Sequence, residues 1–206
     1  MPSFQKPPTV SDDYRAVDIY RKAADVIYDK GFNATSMGDI AEAVDLTKGG
    51  LYYYIKGKKA LLFAIMNFAM DLLETEVLQP VSQESDPERR LAKLFGGHLR
   101  VVINDPSALT ILVYEEDNLT GEHRAKILKR KQEYDQVLRN AIQAVLDRHD
   151  GGHKVDPKVA AFSFLGMIHW VVRWFHHDGG TMSRDEVVEQ MTRLAMHGLI
   201  PEPATH

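Results

Sequence analysis

Apolar residues recur three and four positions apart along most of the chain, and strand-like alternation is nearly absent. The pattern predicts an all-α protein of about nine helices. The first runs from Asp12 or Asp13 to Lys30, with Ala16, Ile19, Ala23, Val26 and Ile27 on one face and Gly31 as its stop. Ser36 is placed to cap a short second helix, with Asp39 at the third helical position. Asp45 breaks that helix, and Thr47 caps a third that ends near Ile55 and Gly57. A long helix is expected from Lys58 to Leu78, ended by Pro80. Asp86-Pro87 opens the next, to about Ile103. Asp105-Pro106 opens another, through about Asn118, and Gly121 marks a break. A charged helix then reaches His149 and closes at Gly151-Gly152. Asp156-Pro157 starts a helix ending at Asp178-Gly179-Gly180. The last is capped by Ser183, with Glu186 completing a capping box, and stops at Gly198.

The segment from Ser36 to Leu61 carries the most information. Two short helices flank a tight turn, and Ile40, Ala41, Val44, Leu46, Leu51 and Ile55 are spaced to build one small core. Thr47, Lys48, Gly49, Gly50, Tyr52 and Tyr53 are then expected to point outward. Exposed glycines let a backbone approach phosphate closely, and lysine and tyrosine donate to phosphate oxygens. This is the arrangement of a helix-turn-helix whose second helix enters a major groove.

Charge sharpens that reading. The chain has 206 residues and a formal net charge of −4, which by itself does not suggest a nucleic-acid binder. Residues 47–59, however, hold Lys48, Lys56, Lys58 and Lys59 and no acidic residue. Screening over about 8–10 Å hides distant charge, so a local basic patch still meets phosphates. Hydrophobic residues make up 44%, enough for a core. There is no cysteine, which excludes disulfides, thiolate metal sites and a cysteine nucleophile. No apolar run is long enough for a membrane span, and the first ten residues lack the apolar stretch of a signal peptide. A cytoplasmic location is expected.

The segment Ser36–Leu61 resembles the N-terminal motif of the TetR family of bacterial regulators, T-x-x-x-I-A-x-x-A-G-V-S-x-G-x-L-Y-x-H-F-x-x-K-x-x-L. Ser36, Ile40, Ala41, Thr47, Gly49, Leu51, Tyr52, Lys58 and Leu61 stand at matching places, and the upstream Lys30–Thr35 also matches. The family's turn glycine is Asp45 here, its phenylalanine is Ile55, and Gly50 stands where a hydroxyl is frequent. The resemblance implies DNA contacts by Ser36, Thr47, Lys48, Gly49, Gly50, Tyr52, Tyr53 and Lys58. It also implies a C-terminal domain that dimerises and holds an effector.

The C-terminal pattern agrees. Val187, Val188, Met191, Leu194, Ala195 and Leu199 give the last helix an apolar face. The helix before it, Val159 to Phe175, is apolar nearly all round, so both of its sides are expected to be buried. One side meets its own domain and the other a partner, in an intersubunit four-helix bundle; a core helix of a monomer is the alternative. Within it, Arg173 is expected as a buried guanidinium, sharing a face with Gly166 and Trp170 and lying beside His169. Such a group suits a planar anionic ligand; the alternatives are a salt bridge to Glu115 or Glu116, or a side chain that reaches along the apolar surface to solvent. The stretch His169–Met191, with Trp170, Arg173, Trp174 and a Gly-Gly pair, resembles a TetR subgroup responsive to acyl-coenzyme A thioesters in fatty-acid or steroid breakdown. That resemblance implies an effector site of Tyr114, Gly166, His169, Trp170, Arg173 and Trp174.

Other chemistry finds little support. His176-His177 are adjacent and diverge, His149 and His153 straddle a turn, and neither gives a metal-ligand pattern. Gly49-Gly50 and Gly179-Gly180 lack phosphate-loop spacing, and there is no nucleophile elbow. The expected organisation is a tail (1–11), a DNA-binding domain (12–57), a ligand-binding and dimerisation domain (58–200) and a second tail (201–206). The expected function is an effector-responsive, homodimeric regulator of operator DNA, with no metal, no enzymatic activity and no membrane partner. Its effector is an acyl-coenzyme A or a hydrophobic ligand without coenzyme A. A helical enzyme or ligand carrier without DNA activity is the reading from another class.

Overall fold

The structure is a computed structural model that describes residues 10–149, 155–175 and 182–199. The expected stop at Gly151-Gly152, the segment His176–Gly180, His153 and residues 201–206 lie outside these. Among the described residues there is no strand, and nine helices follow one another when the stretch from Lys58 to Val81 is taken as one. They are α1 (Val10–Lys30), α2 (Met37–Ala43), α3 (Lys48–Tyr54), α4 (Lys58–Leu73, continued to Val81), α5 (Pro87–Asn104), α6 (Pro106–Tyr114), α7 (Gly121–Arg148), α8 (Pro157–Trp174) and α9 (Arg184–Leu199). No described helix is long and apolar enough to cross a membrane.

Local chemistry sets most boundaries. Asp86 accepts from the Arg89 N–H at 2.9 Å, and Asp156 accepts from Lys158 and Val159, each just before a proline at the start of its helix. Ser183 and Glu186 form the expected reciprocal cap of α9. Gly31 takes a positive φ of 81° after α1.

Two expected boundaries move. Pro80 does not end the fourth helix. A π turn at Glu74–Leu78 precedes it, with Gln79 N–H bonded to the Glu74 carbonyl, and helix resumes at Gln79–Val81. The wider turn changes which carbonyl lies behind the proline ring, so the chain passes Pro80 without breaking. The sixth helix stops at Tyr114, not near Asn118; a 3₁₀ turn at Glu116–Asn118 follows.

Contacts divide the described residues into two compact units: those up to Ala69 with Ser107–Ala125, and Met70–Pro106 with those from Lys126 onward. In the first, Ile40, Ala41, Val44, Leu51 and Ile55 of the core expected for the helix-turn-helix are buried, as are Ile19, Ala23 and Ile27 of α1, whereas Leu46, also expected in that core, is half-buried. In the second, α5 is the central helix. It packs against α8, α9 and the π turn of α4, and buries Leu91, Leu94, Phe95, Leu99 and Val102. A Cβ on Gly96 would lie 3.1 Å from Thr192 Oγ1, so glycine sets how closely α5 and α9 approach.

The turn between α2 and α3 is a complete Schellman closure. Asp45 N–H donates to the Glu42 carbonyl at 3.2 Å, and Leu46 N–H to the Ala41 carbonyl at 2.9 Å. Asp45 occupies the left-handed position, φ 54°, that glycine usually takes. Asp45→Gly therefore relieves backbone strain against a smaller entropic penalty. We expect it to raise stability by up to about 1 kcal/mol in chemical denaturation, and a loss of stability would show that the Asp45 side chain holds the turn.

Candidate DNA-reading surface and effector site

The helix-turn-helix is held at its entrance by one carboxylate. The Asp39 Oδ2 accepts from Ser36 N–H at 2.7 Å and from Ser36 Oγ at 2.6 Å, and its Oδ1 accepts from Lys30 Nζ at 2.8 Å. Ser36 Oγ in turn accepts from the N–H groups of Gly38 and Asp39, both at 3.2 Å. The end of α1 and the start of α2 are thus tied at one point. Lys30 first, and Ser36 second, hold the Asp39 carboxyl far below the usual carboxylate range.

On α3, Thr47 Oγ1 accepts from Gly50 N–H at 3.0 Å and caps the helix. Thr47, Lys48, Gly49, Tyr52 and Tyr53 face solvent, as expected; Tyr53 is 85% exposed and stacks edge-on against Tyr54. Two expected residues differ. Gly50 is half-buried, because its Cα faces back toward Thr47 and Leu46: an added Cβ would meet Thr47 Oγ1 at 3.3 Å. Lys58 is half-buried as well. Its ammonium donates to the Asn33 carbonyl at 3.2 Å and sits 4.4 Å from the centre of the Phe32 ring. It fastens the α1–α2 loop and keeps further N–H donors available to a phosphate.

Gly38 went unnoticed in the sequence. A Cβ there would lie 2.8 Å from Lys48 Cε, so the lysine stem crosses α2 at glycine. Gly49 differs: its nearest neighbour would be Thr47 Oγ1 at 4.0 Å, so none of the described residues requires glycine there.

The residues expected to bind effector differ in exposure. Gly166, Trp170, Arg173 and Trp174 do share a face of α8, but that face is exposed. The inward face carries Ala160, Ala161, Phe164, Ile168 and Val171. Arg173 is therefore an exposed guanidinium, not a buried one, and α8 is buried on one side only in the protomer. One-sided burial in the protomer is what was expected of a helix whose other side meets a partner; only the burial of Arg173 was misplaced, because Arg173 lies on that outer side. Glu116 and Glu115, the proposed partners of Arg173, bond to Arg124 and Asn118. Tyr114 is 66% exposed at the end of α6 in the first unit.

His169 alone of that set turns inward, and it meets two residues that sequence reading missed. Its ring lies edge-to-face against His98 of α5 at 5.2 Å. His98 Nδ1 is 2.9 Å from Tyr134 Oη of α7. His98 is 2% exposed, and its Nε2 has no hydrogen-bond partner among the described residues. Burial drives the His98 pKa well below its ordinary value and that of His169 down to about 4, and pushes the Tyr134 phenol up. All three are neutral near pH 7. Donation by Tyr134 to Nδ1 leaves one orphan, the Nε2–H. The opposite tautomer orphans both a hydroxyl proton and a ring lone pair, which is worse by about 1–3 kcal/mol. The signal in the sequence was a histidine on the Leu91–Leu94–Phe95–His98–Val102 apolar stripe.

Comparisons with known proteins agree with this geometry. Residues 19–65 match the family described as bacterial regulatory proteins, tetR family, and residues 84–199 match the tetracyclin repressor-like C-terminal domain. The chain belongs to the TetR family. It is a helix-turn-helix transcriptional regulator. A crystal structure of AibR in complex with isovaleryl coenzyme A and operator DNA aligns with a TM-score of 0.77 and 38% identity, over 87% of this chain and 97% of that one. The HTH-type transcriptional repressor KstR2 of Rhodococcus jostii (strain RHA1) is 27% identical, over 90% of this chain and 91% of its own. The structure of KstR2 of Mycobacterium tuberculosis shares the fold, with a TM-score of 0.82 at 18% identity, over 96% of this chain and 98% of that one.

Removing the α2 cap by Ser36→Ala should cost about 1 kcal/mol in thermal or chemical unfolding. The Asp39 junction carries a pH signature. Its carboxyl is depressed in the folded state, so its contribution is complete above the unfolded value of about 3.9 and disappears as pH falls through the folded one. The melting-temperature gap between wild type and Asp39→Asn should therefore hold from neutral pH to about pH 5 and narrow in stronger acid. A gap independent of pH would remove this role from Asp39.

Proposed function

We propose that this TetR-family protein is a homodimeric repressor that leaves its operator when an acyl-coenzyme A binds its C-terminal domain. Residues 12–57 read DNA, and residues 58–200 dimerise and receive the effector, in the cytoplasm. The observation carrying the DNA half is the outward set Thr47, Lys48, Gly49, Tyr52 and Tyr53 on a capped helix within a stretch bearing four lysines and no acid. Gly49 supports it further, since no described residue approaches that backbone closely and a phosphate could. The acyl-coenzyme A half is supported by the 38% identity to AibR, which binds isovaleryl coenzyme A, and by the repressor KstR2 among the relatives. Effector binding would act by differential affinity; about 1.4 kcal/mol of preference moves operator occupancy tenfold.

Dimerisation is supported by the outer face of α8. Val159, Phe162, Trp170 and Trp174 are exposed there, Trp170 by 63%, and Leu194 of α9 is 67% exposed. Large apolar side chains left in such numbers on neighbouring helices mark a surface that another chain covers. Trp170 and Trp174 are thus better suited to the subunit interface than to an enclosed effector site.

Two measurements test these assignments. Binding to a duplex selected from a random pool should weaken steeply with salt, log Kd rising linearly with log salt. Gly49→Ala should keep or raise the wild-type melting temperature yet lose tenfold or more in affinity, on the order of 1.4 kcal/mol. A flat salt response, or unchanged affinity in Gly49→Ala, removes the reading of α3. In sedimentation equilibrium, Trp170→Asp and Leu194→Asp should shift the protein from dimer toward monomer; a stable dimer in both would place the interface elsewhere.

A further inference from the structure

His98 has a feature that neither DNA binding nor dimerisation explains. A histidine on the central helix α5 is fully buried, its Nδ1 engaged by Tyr134 and its Nε2 without a partner among the described residues. The tautomer argument above makes that free atom a donor. Apolar side chains are buried on the same two helices, Leu94, Phe95 and Leu99 on α5 and Phe164 and Ile168 on α8, with Phe95 edge-on to Phe164 at 5.2 Å; Thr192 Oγ1 of α9, close to Gly96, is likewise buried without a partner among the described residues. His169 presents a second imidazole beside the first. A buried donor without a partner among the described residues, flanked by apolar side chains, suits a ligand with a hydrogen-bond acceptor on a largely apolar body.

We propose that His98 Nε2–H, fixed by Tyr134, donates to the neutral carbonyl oxygen of an acyl thioester effector. This rests on the acyl-coenzyme A reading and names the group that recognises the acyl end. The donor is neutral and suits a neutral acceptor: both imidazoles are uncharged near pH 7, so neither ring offers a carboxylate a charged partner. Lys131, whose charge helps lower the His169 pKa, is a cation that would favour a free acid instead, and the free-acid arm of the test reads its effect. Tyr134 is a positioning residue: it accepts no ligand and acts by keeping the proton on Nε2.

The test compares each of isovaleryl-, octanoyl- and palmitoyl-coenzyme A with its thioether counterpart, which has the same chain length but a methylene in place of the carbonyl, and with the free acid. Titration calorimetry on the full-length dimer reads the ratio of affinities. For wild type, at least one thioester should bind at least about tenfold tighter than its thioether, because the thioether leaves the His98 donor unpaired. His98→Phe should abolish that preference while still binding the thioether. Tyr134→Phe, which removes only a hydroxyl, should reduce the preference by about threefold or more, and carries the test if His98→Phe fails to fold. Nitrogen-15 spectra of the imidazoles add an independent reading: wild type should show the Nε2–H form of His98, and Tyr134→Phe a mixture of tautomers.

Equal binding of thioester and thioether by wild type overturns the assignment to His98. So does a preference that survives both substitutions. In either case the acyl-coenzyme A reading stands. Binding of no thioester overturns that reading and the assignment with it. Free acid binding as tightly as its thioester shows that a carboxylate, not a neutral carbonyl, is recognised.

Discussion

Neither of the two short helices of the helix-turn-helix could persist alone. Each of α2 and α3 has seven residues, and isolated helices below about 12–15 residues are marginal in water. α3 also spends two of its seven positions on glycine, the poorest helix former after proline. Everything the reading surface does therefore depends on what holds these helices from outside. The buried set Ile40, Ala41, Val44, Leu51 and Ile55 supplies the cohesion. Position comes from polar closures: the Asp39 junction to Lys30 and Ser36, the Schellman turn at Asp45, the Thr47 cap and the Lys58 clasp on Phe32 and Asn33. A helix kept in place this way can present glycine to the outside, where its own stability would otherwise forbid it.

The features legible in the sequence were those whose cause is local. Ser36, Thr47, Asp86, Asp156 and Ser183 act within three residues of themselves, and each caps the helix expected of it. Pro80 and Arg173 were misread because their outcomes depend on more distant structure. A proline ends a helix only if the preceding turn keeps α geometry, and the π turn at Glu74–Leu78 does not. An arginine among tryptophans is buried only if the face it occupies is turned inward, and sequence periodicity groups residues on a face without saying where the face points. The grouping of Gly166, Trp170 and Arg173 was right; the direction was not.

His98 shows a different limit. Its position on the α5 stripe was readable, yet its meaning came from Tyr134 and His169, 36 residues beyond it in one case and on yet another helix in the other. One buried imidazole with one partner is an ordinary core residue. What changes its significance is that satisfying Tyr134 fixes the tautomer and leaves the second nitrogen as an unpaired donor. That is a property of three helices meeting, and no single segment contains it.

α8 joins these two halves of the C-terminal chemistry. Its inner face carries Ile168 and His169 toward α5, and its outer face carries Phe162, Trp170 and Trp174 toward whatever covers them. His169 and Trp170 are consecutive, separated by about 100° around the helix axis. A helix is stiff over such a distance, so a ligand that shifts His169 by repacking the inner face displaces Trp170 as well. Close-packed interfaces respond to displacement by switching between arrangements and not by gradual deformation. Under the proposed function, a change at the buried donor would reach the outer face of α8 through this one helix. The same apolar excess that made α8 hard to interpret from its sequence is what lets one helix serve both faces.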